Sequence, residues 1–271
     1  MKALTIGGAM IDTIAIIDSD RIERISMSNA DRAFLLMEEG SKTEARKIST
    51  HCGGGAVNAA VAMARLGLDV AALVKLGQDD RAETVMARLL AEGVSPRWAI
   101  RDARQPTGAS VLVSSHDSNA AVFTFRGANT LLESTDLRPD AFAVDLVYVS
   151  SLSNESADCF PQIVAMAKAA GARIATNPGP RQIAARAKAF QDSLPAIDIL
   201  TLNRAEAETV LPTLIARFGE GGPALDGEDL PRLAGRGLQG GGFHMSLKAF
   251  MRALVALGPR MLLLTDGTGG A

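Results

Sequence analysis

The sequence predicts an α/β protein in which a central, mostly parallel sheet carries helices on both faces and a small antiparallel β lid is attached to it. Three observations lead there. Strand-like and helix-like runs alternate over most of the 271 residues, the order that builds parallel sheets through crossover helices. Two stretches, 13–50 and 107–126, break that order with short alternating pieces suited to antiparallel pairing. The composition, 47% hydrophobic and 21% charged, is that of a globular chain long enough for one large core and a small appendage.

Taken in order, ALTIG is the first core strand. The opening MKALTIGGAMIDTIAII has the Lys and apolar content of a leader, but Asp12 interrupts it and no cleavage region follows. RAFLLMEEG and EARKIST supply the first half of the lid. AVNAAVAMARLG then reads as a helix, VAALVKLG as a buried strand and RAETVMARLLAEG as a second helix. GASVLVSS and AVFTFRG complete the lid. DLVYVS, CFPQIVAMAKAAG, RIATN, IDILTLN and AEAETVLPTLIARF restore the strand–helix order. The Gly- and Pro-rich FGEGGPALDGEDLPRLAGRGLQGGGF predicts a flexible surface insertion before the helix SLKAFMRALVALG and the strand MLLL. Residues 1–12, 51–106 and 127–271 are thus expected to form the α/β domain, with 13–50 and 107–126 as the lid.

A formal charge of −2 gives no global attraction to nucleic acid or to an anionic membrane, and no basic run stands out. No segment has the roughly 20 apolar residues of a membrane span. The expected partners are small molecules or copies of the chain itself. Cys52 and Cys159 have no regular spacing, which argues against a disulfide framework or zinc site and makes a reducing cytoplasm the expected location.

Four stretches could carry chemistry. In HCGGGAVNAAVAMARLG, Gly53, Gly54 and Gly55 lead into a helix with Asn58 in its first turn, where the amide could reach a ligand. A loop that only permits tight packing explains the glycines equally well, and the stretch has neither the GxGxxG spacing nor the P-loop Lys. Asp12, just beyond the first strand, could accept hydrogen bonds from two sugar hydroxyls, or could be a turn residue. Asn203 and Glu206, three apart at a strand-to-helix junction, suit a hydrated Mg²⁺ and its phosphates, and equally suit a capping box. Thr265, Gly267 and Gly270 lie in TDGTGGA, a glycine-rich turn after an apolar strand, which leaves room for a nucleotide. His51, His116 and His244 have no ligand-like spacing, and His51 and Cys52 should point to opposite faces of a strand.

In this order the motifs resemble the ribokinase-like (PfkB) carbohydrate kinase family, and the resemblance runs from residue 1 to 271. GGAMID looks like its first strand with a substrate-binding Asp, here Asp12. GGGAVNAAVAMARLG looks like its first signature, matching Gly53 to Gly55 and Asn58. LGQDDRAE is similar to a G-x-D-x-x-G segment, with Ala82 in place of the final Gly. RGAN (Arg126 to Asn129), TNPGP (Thr176 to Pro180), N-x-x-E (Asn203, Glu206) and T-x-G-x-x-G (Thr265, Gly267, Gly270) follow in the family's order.

The resemblance implies an ATP- and Mg²⁺-dependent kinase that phosphorylates a hydroxymethyl group of a sugar or nucleoside. It implies that Asp12, Gly53, Gly54, Gly55 and Asn58 hold the acceptor, and that Asn203 and Glu206 organise Mg²⁺ and phosphates, with Glu206 toward the metal. Thr265, Gly267 and Gly270 would contact the nucleotide. The lid would close over the sugar, and its apolar residues Phe34, Leu35, Leu36, Phe123 and Phe125 imply a homodimer through that sheet. Ribokinases have a ribose-contacting Glu near the end of the strand written here DLVYVSSLS, at the place of Leu152, so strict ribose specificity is not expected. The family's D-T-x-G-A-G-D motif, whose last Asp deprotonates the sugar hydroxyl, does not occur in 1–271, and no catalytic base is assigned. The expectation is therefore a longer protein, with an intact mass above 28.3 kDa. A non-catalytic sugar- or nucleotide-binding protein is the alternative, predicting binding without turnover. A dinucleotide enzyme is disfavoured by the missing GxGxxG.

Overall fold

The computed structural model describes residues 1–18, 23–26, 33–36, 39–40, 42–114, 120–222, 232–267 and 270–271. The first core strand, β1 (Lys2–Gly7), is followed by β2 (Met10–Ile16), β3 (Glu23–Ser26), β4 (Ala33–Leu36) and β5 (Lys47–Gly53). Then come α1 (Gly55–Arg65), β6 (Asp69–Leu76), α2 (Asp80–Ala91), β7 (Ile100–Arg101), β8 (Gly108–Ser114) and β9 (Ala120–Phe125). Three further strand–helix units follow: β10 (Leu146–Val149) with α3 (Phe160–Ala169), β11 (Arg173–Thr176) with α4 (Pro180–Ala185) and α5 (Ala187–Ser193), and β12 (Ile199–Asn203) with α6 (Arg204–Phe218). The chain continues through α7 (Arg232–Arg236), β13 (Leu238–Gly240), β14 (Phe243–Met245) and α8 (Leu247–Ala256) to β15 (Met261–Thr265).

Seven strands form one sheet in the order β15-β12-β11-β10-β1-β6-β7, and every pairing in it is parallel. Alternate residues of β1 and β6 feed two separate cores. Ala3, Val70, Ala72 and Val74 pack with Val57, Ala60, Val85 and Leu89 of α1 and α2. Leu4, Ile6, Leu73, Val147, Ile174 and Leu200 pack on the opposite face with residues of α3, α6 and α8 such as Ile163, Leu211 and Phe250. Helices therefore lie on both faces, while Met261 and Leu263 of β15, on the side of α1 and α2, stay exposed. The strand order reverses between β1 and β10, so the carboxyl ends of these two strands flank the crevice where such sheets bind ligands.

The lid is a four-stranded sheet in the order β5-β2-β8-β9. Its outer pairings, β2 with β5 and β8 with β9, are antiparallel, while the central pairing of β2 with β8 is parallel. β2 already begins at Met10 and β5 runs to Gly53, so Asp12 and Gly53 belong to the lid sheet itself. Asp12 therefore lies inside a lid strand rather than just past the end of the core strand. The chain breaks at Gly7, whose φ is +140°, and the next backbone group, Ala9, is claimed by the Asn129 side chain.

The Gly- and Pro-rich insertion is more ordered than its composition predicts. Its centre, 223–231, lies outside the described residues, but β13 and β14 pair antiparallel across Gly241 and Gly242. Both glycines have positive φ, +60° and +84°, which is the two-residue turn that matches the twist of a hairpin. Glycines read as flexibility are here the requirement of a tight turn. The side chains of Phe34 and Leu35, and Thr268 with Gly269 in the last turn, also lie outside the described residues.

Candidate functional site

The residues expected to hold an acceptor lie where the lid joins the sheet. Asp12 pairs in register with His51 on β5 and Ser110 on β8, and Ser110 with Thr124 on β9. Residues opposite one another share a face, so His51, Asp12, Ser110 and Thr124 form one row across all four strands. One step toward the hinge the same face carries Gly53, Met10 and Gly108. The reverse face packs on α2: Ile11 joins that core, and the Cys52 thiol donates to the Thr84 carbonyl at 3.6 Å. Burial pushes that thiol up, and since neighbours along a strand face opposite ways, His51 is on the crevice side.

Asp12 is anchored on one oxygen only. Ser110 Oγ donates to Oδ1, while Oδ2 lies where a Cβ on Gly53 would sit. Gly53 is thus a clearance residue for the carboxylate. Gly54, with φ +97°, brings its Cα against the Gly8 carbonyl, and Ala56 N donates to that carbonyl at 3.1 Å. Gly55 opens α1 over Ser150, where an added Cβ would come within 2.6 Å of the serine Cβ. Asn58 is exposed in the first turn of the helix. The helix has no side-chain cap and no acidic residue in its first turn, which leaves its N-terminal field uncompensated. Leu152 is only 4% exposed and packs in the main core, whereas Ser151 beside it is exposed.

The second cluster stands at the carboxyl ends of β12 and β15. Asn203 Oδ1 accepts from Glu206 N at 2.9 Å, and Glu206 Oε2 accepts from Asn203 N at 2.9 Å, a reciprocal capping box. Glu206 is 6% exposed, and its Oε2 also accepts from Asn177 Nδ2 at 3.0 Å. The TNPGP and N-x-x-E motifs therefore meet through one carboxylate. Burial, followed by the nearby Glu206 charge, pushes the Tyr148 hydroxyl above its ordinary range. Thr265 is the register partner of Asn203, and the turn after it is closed by Asp266 N donating to Gly270 O at 2.8 Å. Gly267 and Gly270 have φ of +56° and +93° with no atom within 4 Å of an added Cβ, so the backbone there faces open space.

The two clusters share one edge. From β1 to β12 is three strand steps, roughly 14 Å at about 4.8 Å per step, with Ser151 and Asn177 between them. No group of three His, Cys, Asp or Glu side chains suited to a metal is found among the described residues. One buried carboxylate with an oxygen free of protein donors suits a cation that keeps most of its water, as Mg²⁺ does.

Several residues that organise the site were motif letters without roles in the sequence. Asn129, the last residue of RGAN, accepts from Ala9 N and donates to Ala9 O, both at 2.9 Å. Ala128 N donates to Pro106 O at 2.8 Å, joining the other entry to the lid. Asp79 caps α2 through Ala82 N, and also accepts from Thr107 N at 2.9 Å and Thr107 Oγ1 at 2.6 Å, just before β8. Burial opposes the Asp79 charge, but these hydrogen bonds outweigh it and hold the carboxyl below its usual range.

A doubly wound parallel sheet with a small second sheet attached defines a class of α/β proteins, and comparison with known proteins narrows it. The pfkB family carbohydrate kinase model matches residues 12–220, and the chain belongs to that family. It is 25% identical over 193 residues to a bifunctional ribokinase/ribose-5-phosphate isomerase A of Fructilactobacillus sanfranciscensis, covering 69% of this chain and 34% of that protein. It is 29% identical over 133 residues to a deoxyribokinase of Salmonella typhi, covering 49% of this chain and 41% of that one. The chain thus spans between about a third and two fifths of the length of these two relatives. The fold matches that of a fructokinase from Xylella fastidiosa with bound ATP at a TM-score of 0.66 and 18% identity, over 98% of this chain and 72% of that one. No described helix is long and apolar enough to cross a membrane.

Proposed function

We propose that the protein is a kinase that moves the γ-phosphoryl group of ATP to a hydroxymethyl group of a sugar or nucleoside. The observation that carries this reading is the Asp12 carboxylate, fixed through Oδ1 by Ser110 and left with Oδ2 over Gly53, at the mouth of the switch-point crevice. Such a group accepts hydrogen bonds from hydroxyls that replace the water of the open cleft. Gly53, Gly54 and Gly55 let the acceptor approach the backbone at the start of α1, and Asn58 adds an amide from its first turn. ATP supplies the phosphoryl group, and Mg²⁺ neutralises charge on it. Asn203 and Glu206 organise that metal and the phosphates, with Glu206 toward the metal, and Thr265, Gly267 and Gly270 line the nucleotide. The lid, 13–50 with 107–126, closes over the acceptor and excludes water from the α/β domain's edge.

Family membership and the names of the relatives, a ribokinase-containing protein and a deoxyribokinase, support a carbohydrate acceptor. The test is calorimetric binding of sugars, nucleosides and ATP, followed by ATP consumption against the same acceptors. In Asp12→Ala, acceptor affinity should fall at least tenfold while ATP affinity is kept. Equal loss of both ligands would make Asp12 a structural residue and remove the main support for the reading.

A further inference from the structure

Lys75 lines a small cavity at the switch point of the sheet. Gly7 and Gly8, at the end of β1, border this space together with Ser151 and Leu152, just past β10. Leu73, Leu132 and the buried Ser156 complete its wall. The free volume is about 10 Å³, room for the centre of one water molecule and for nothing larger.

Three polar groups of this wall keep capacity to bond. Lys75 is 4% exposed, and its ammonium has three donors, of which Asp136 takes one at 2.7 Å and Asp102 another at 3.2 Å. The Ser156 hydroxyl donates to Asn129 O and accepts from Leu132 N, both at 2.9 Å, which leaves it one lone pair. Ser151 Oγ has no hydrogen-bond partner among the described residues. The Asn129 side chain is committed to both backbone groups of Ala9 and adds nothing.

Charge decides what fits there. Arg104 meets Asp102 at 2.6 Å and Glu133 at 2.7 Å, so two cations face three carboxylates in the cluster around Lys75. An anion would enter beside a net negative cluster. No carboxylate lines the cavity itself, so a metal cation would meet the Lys75 ammonium with no counter-charge in contact. A neutral molecule that both donates and accepts suits these groups, and the volume limits it to water.

We propose that the cavity is a site for one resident water molecule, which accepts from Lys75 and donates to Ser156 and Ser151. Three partners are the usual complement of a buried water. Asp102 and Arg104 precede the entry to the lid, and Glu133 and Asp136 follow its exit. The water therefore joins the ion cluster that ties these two crossings to the floor of the crevice.

The experiment is high-resolution crystallography of the wild-type protein, with magnetic relaxation dispersion of the solvent to count slowly exchanging buried waters. The density should show one molecule within hydrogen-bond distance of Lys75 Nζ and of at least one of the two serine hydroxyls. Leu132→Phe should fill the cavity and lower the count by one, while Leu132→Met, close to leucine in volume, should keep it. An empty cavity in the wild-type density, or a molecule there out of reach of Lys75 Nζ, overturns the proposal even if Leu132→Phe fails to fold. So does a count that Leu132→Phe leaves unchanged, or an anomalous peak in the cavity after a bromide or rubidium soak, which would make it an ion site.

Discussion

Lys75 is the most deeply buried cation described in the structure, 4% exposed at the carboxyl half of β6. It is held by Asp136 at 2.7 Å and Asp102 at 3.2 Å, and Asp102 is gripped in turn by Arg104. Removing one partner from such a cluster leaves a buried charge short of its counter-ion, so Lys75→Met should lower unfolding stability by about 3 kcal/mol, read in urea melts. The hydrogen bonds from Arg104, opposed by burial and reinforced by Lys75, hold the Asp102 carboxyl well below the usual carboxylate range. A depressed folded-state value stabilises the protein fully above the ordinary Asp value of about 4, and that contribution is lost as pH falls further. Melts between pH 6 and 2.5 should show wild-type stability dropping below about pH 4. In Asp102→Asn the drop should be shallower, and an identical acid profile for both proteins would show that Asp102 is not its source.

At the scale of elements, the lid is joined to the core by short crossings as well as by the packing of β2 and β5 on α2. Asn129 imitates a strand by pairing with both backbone groups of Ala9, and Asp79 ties the entry to β8 through Thr107. Two net hydrogen bonds at about 1 kcal/mol each make Asn129→Ala destabilising by about 2 kcal/mol. The informative readout is local: amide exchange in β2 and β8 should accelerate relative to β10 and β11. Uniform acceleration would mean that Asn129 supports the whole fold and not the hinge. The sequence made the core elements legible because buried parallel strands are apolar runs, as in ALTIG and VAALVKLG, and helices such as α2 carry their caps in the chain. Motif order singled out Asp12, the three glycines and Asn58 as candidates, and the structure brings Asp12 against Gly53. The β13–β14 hairpin was not, because GGG reads as flexible until both positive φ angles are seen. Ser110, Asn129 and Asn177 gained roles only from register and long-range pairing, which no local pattern encodes.

At the scale of the whole molecule, the lid has two unlike faces. One carries the row of Asp12. The other presents the neighbouring side chains Val111, Phe123 and Phe125, at 44%, 63% and 48% exposure, with Ile48, 66% exposed, beyond β2 on the same face. Apolar surface on the edge-bearing side of a small sheet is costly in water and suits burial against a second copy of itself. We infer a homodimer through this face. Sedimentation equilibrium should give twice the chain mass for the wild-type protein and a monomer for Phe123→Glu. A wild-type monomer at micromolar concentration would refute the dimer.

The row His51, Asp12, Ser110 and Thr124 draws one residue from each of four strands. Its membership depends on register, and a slip of one position in any strand exchanges its crevice face for its outer face. Insertions and deletions inside these strands are therefore closed as routes to a changed crevice face. Single substitutions at positions already on the crevice face are open, since the ladder survives them. The lid's evolutionary freedom lies in the letters at fixed coordinates, and changes in chain length are left to the segments between its strands.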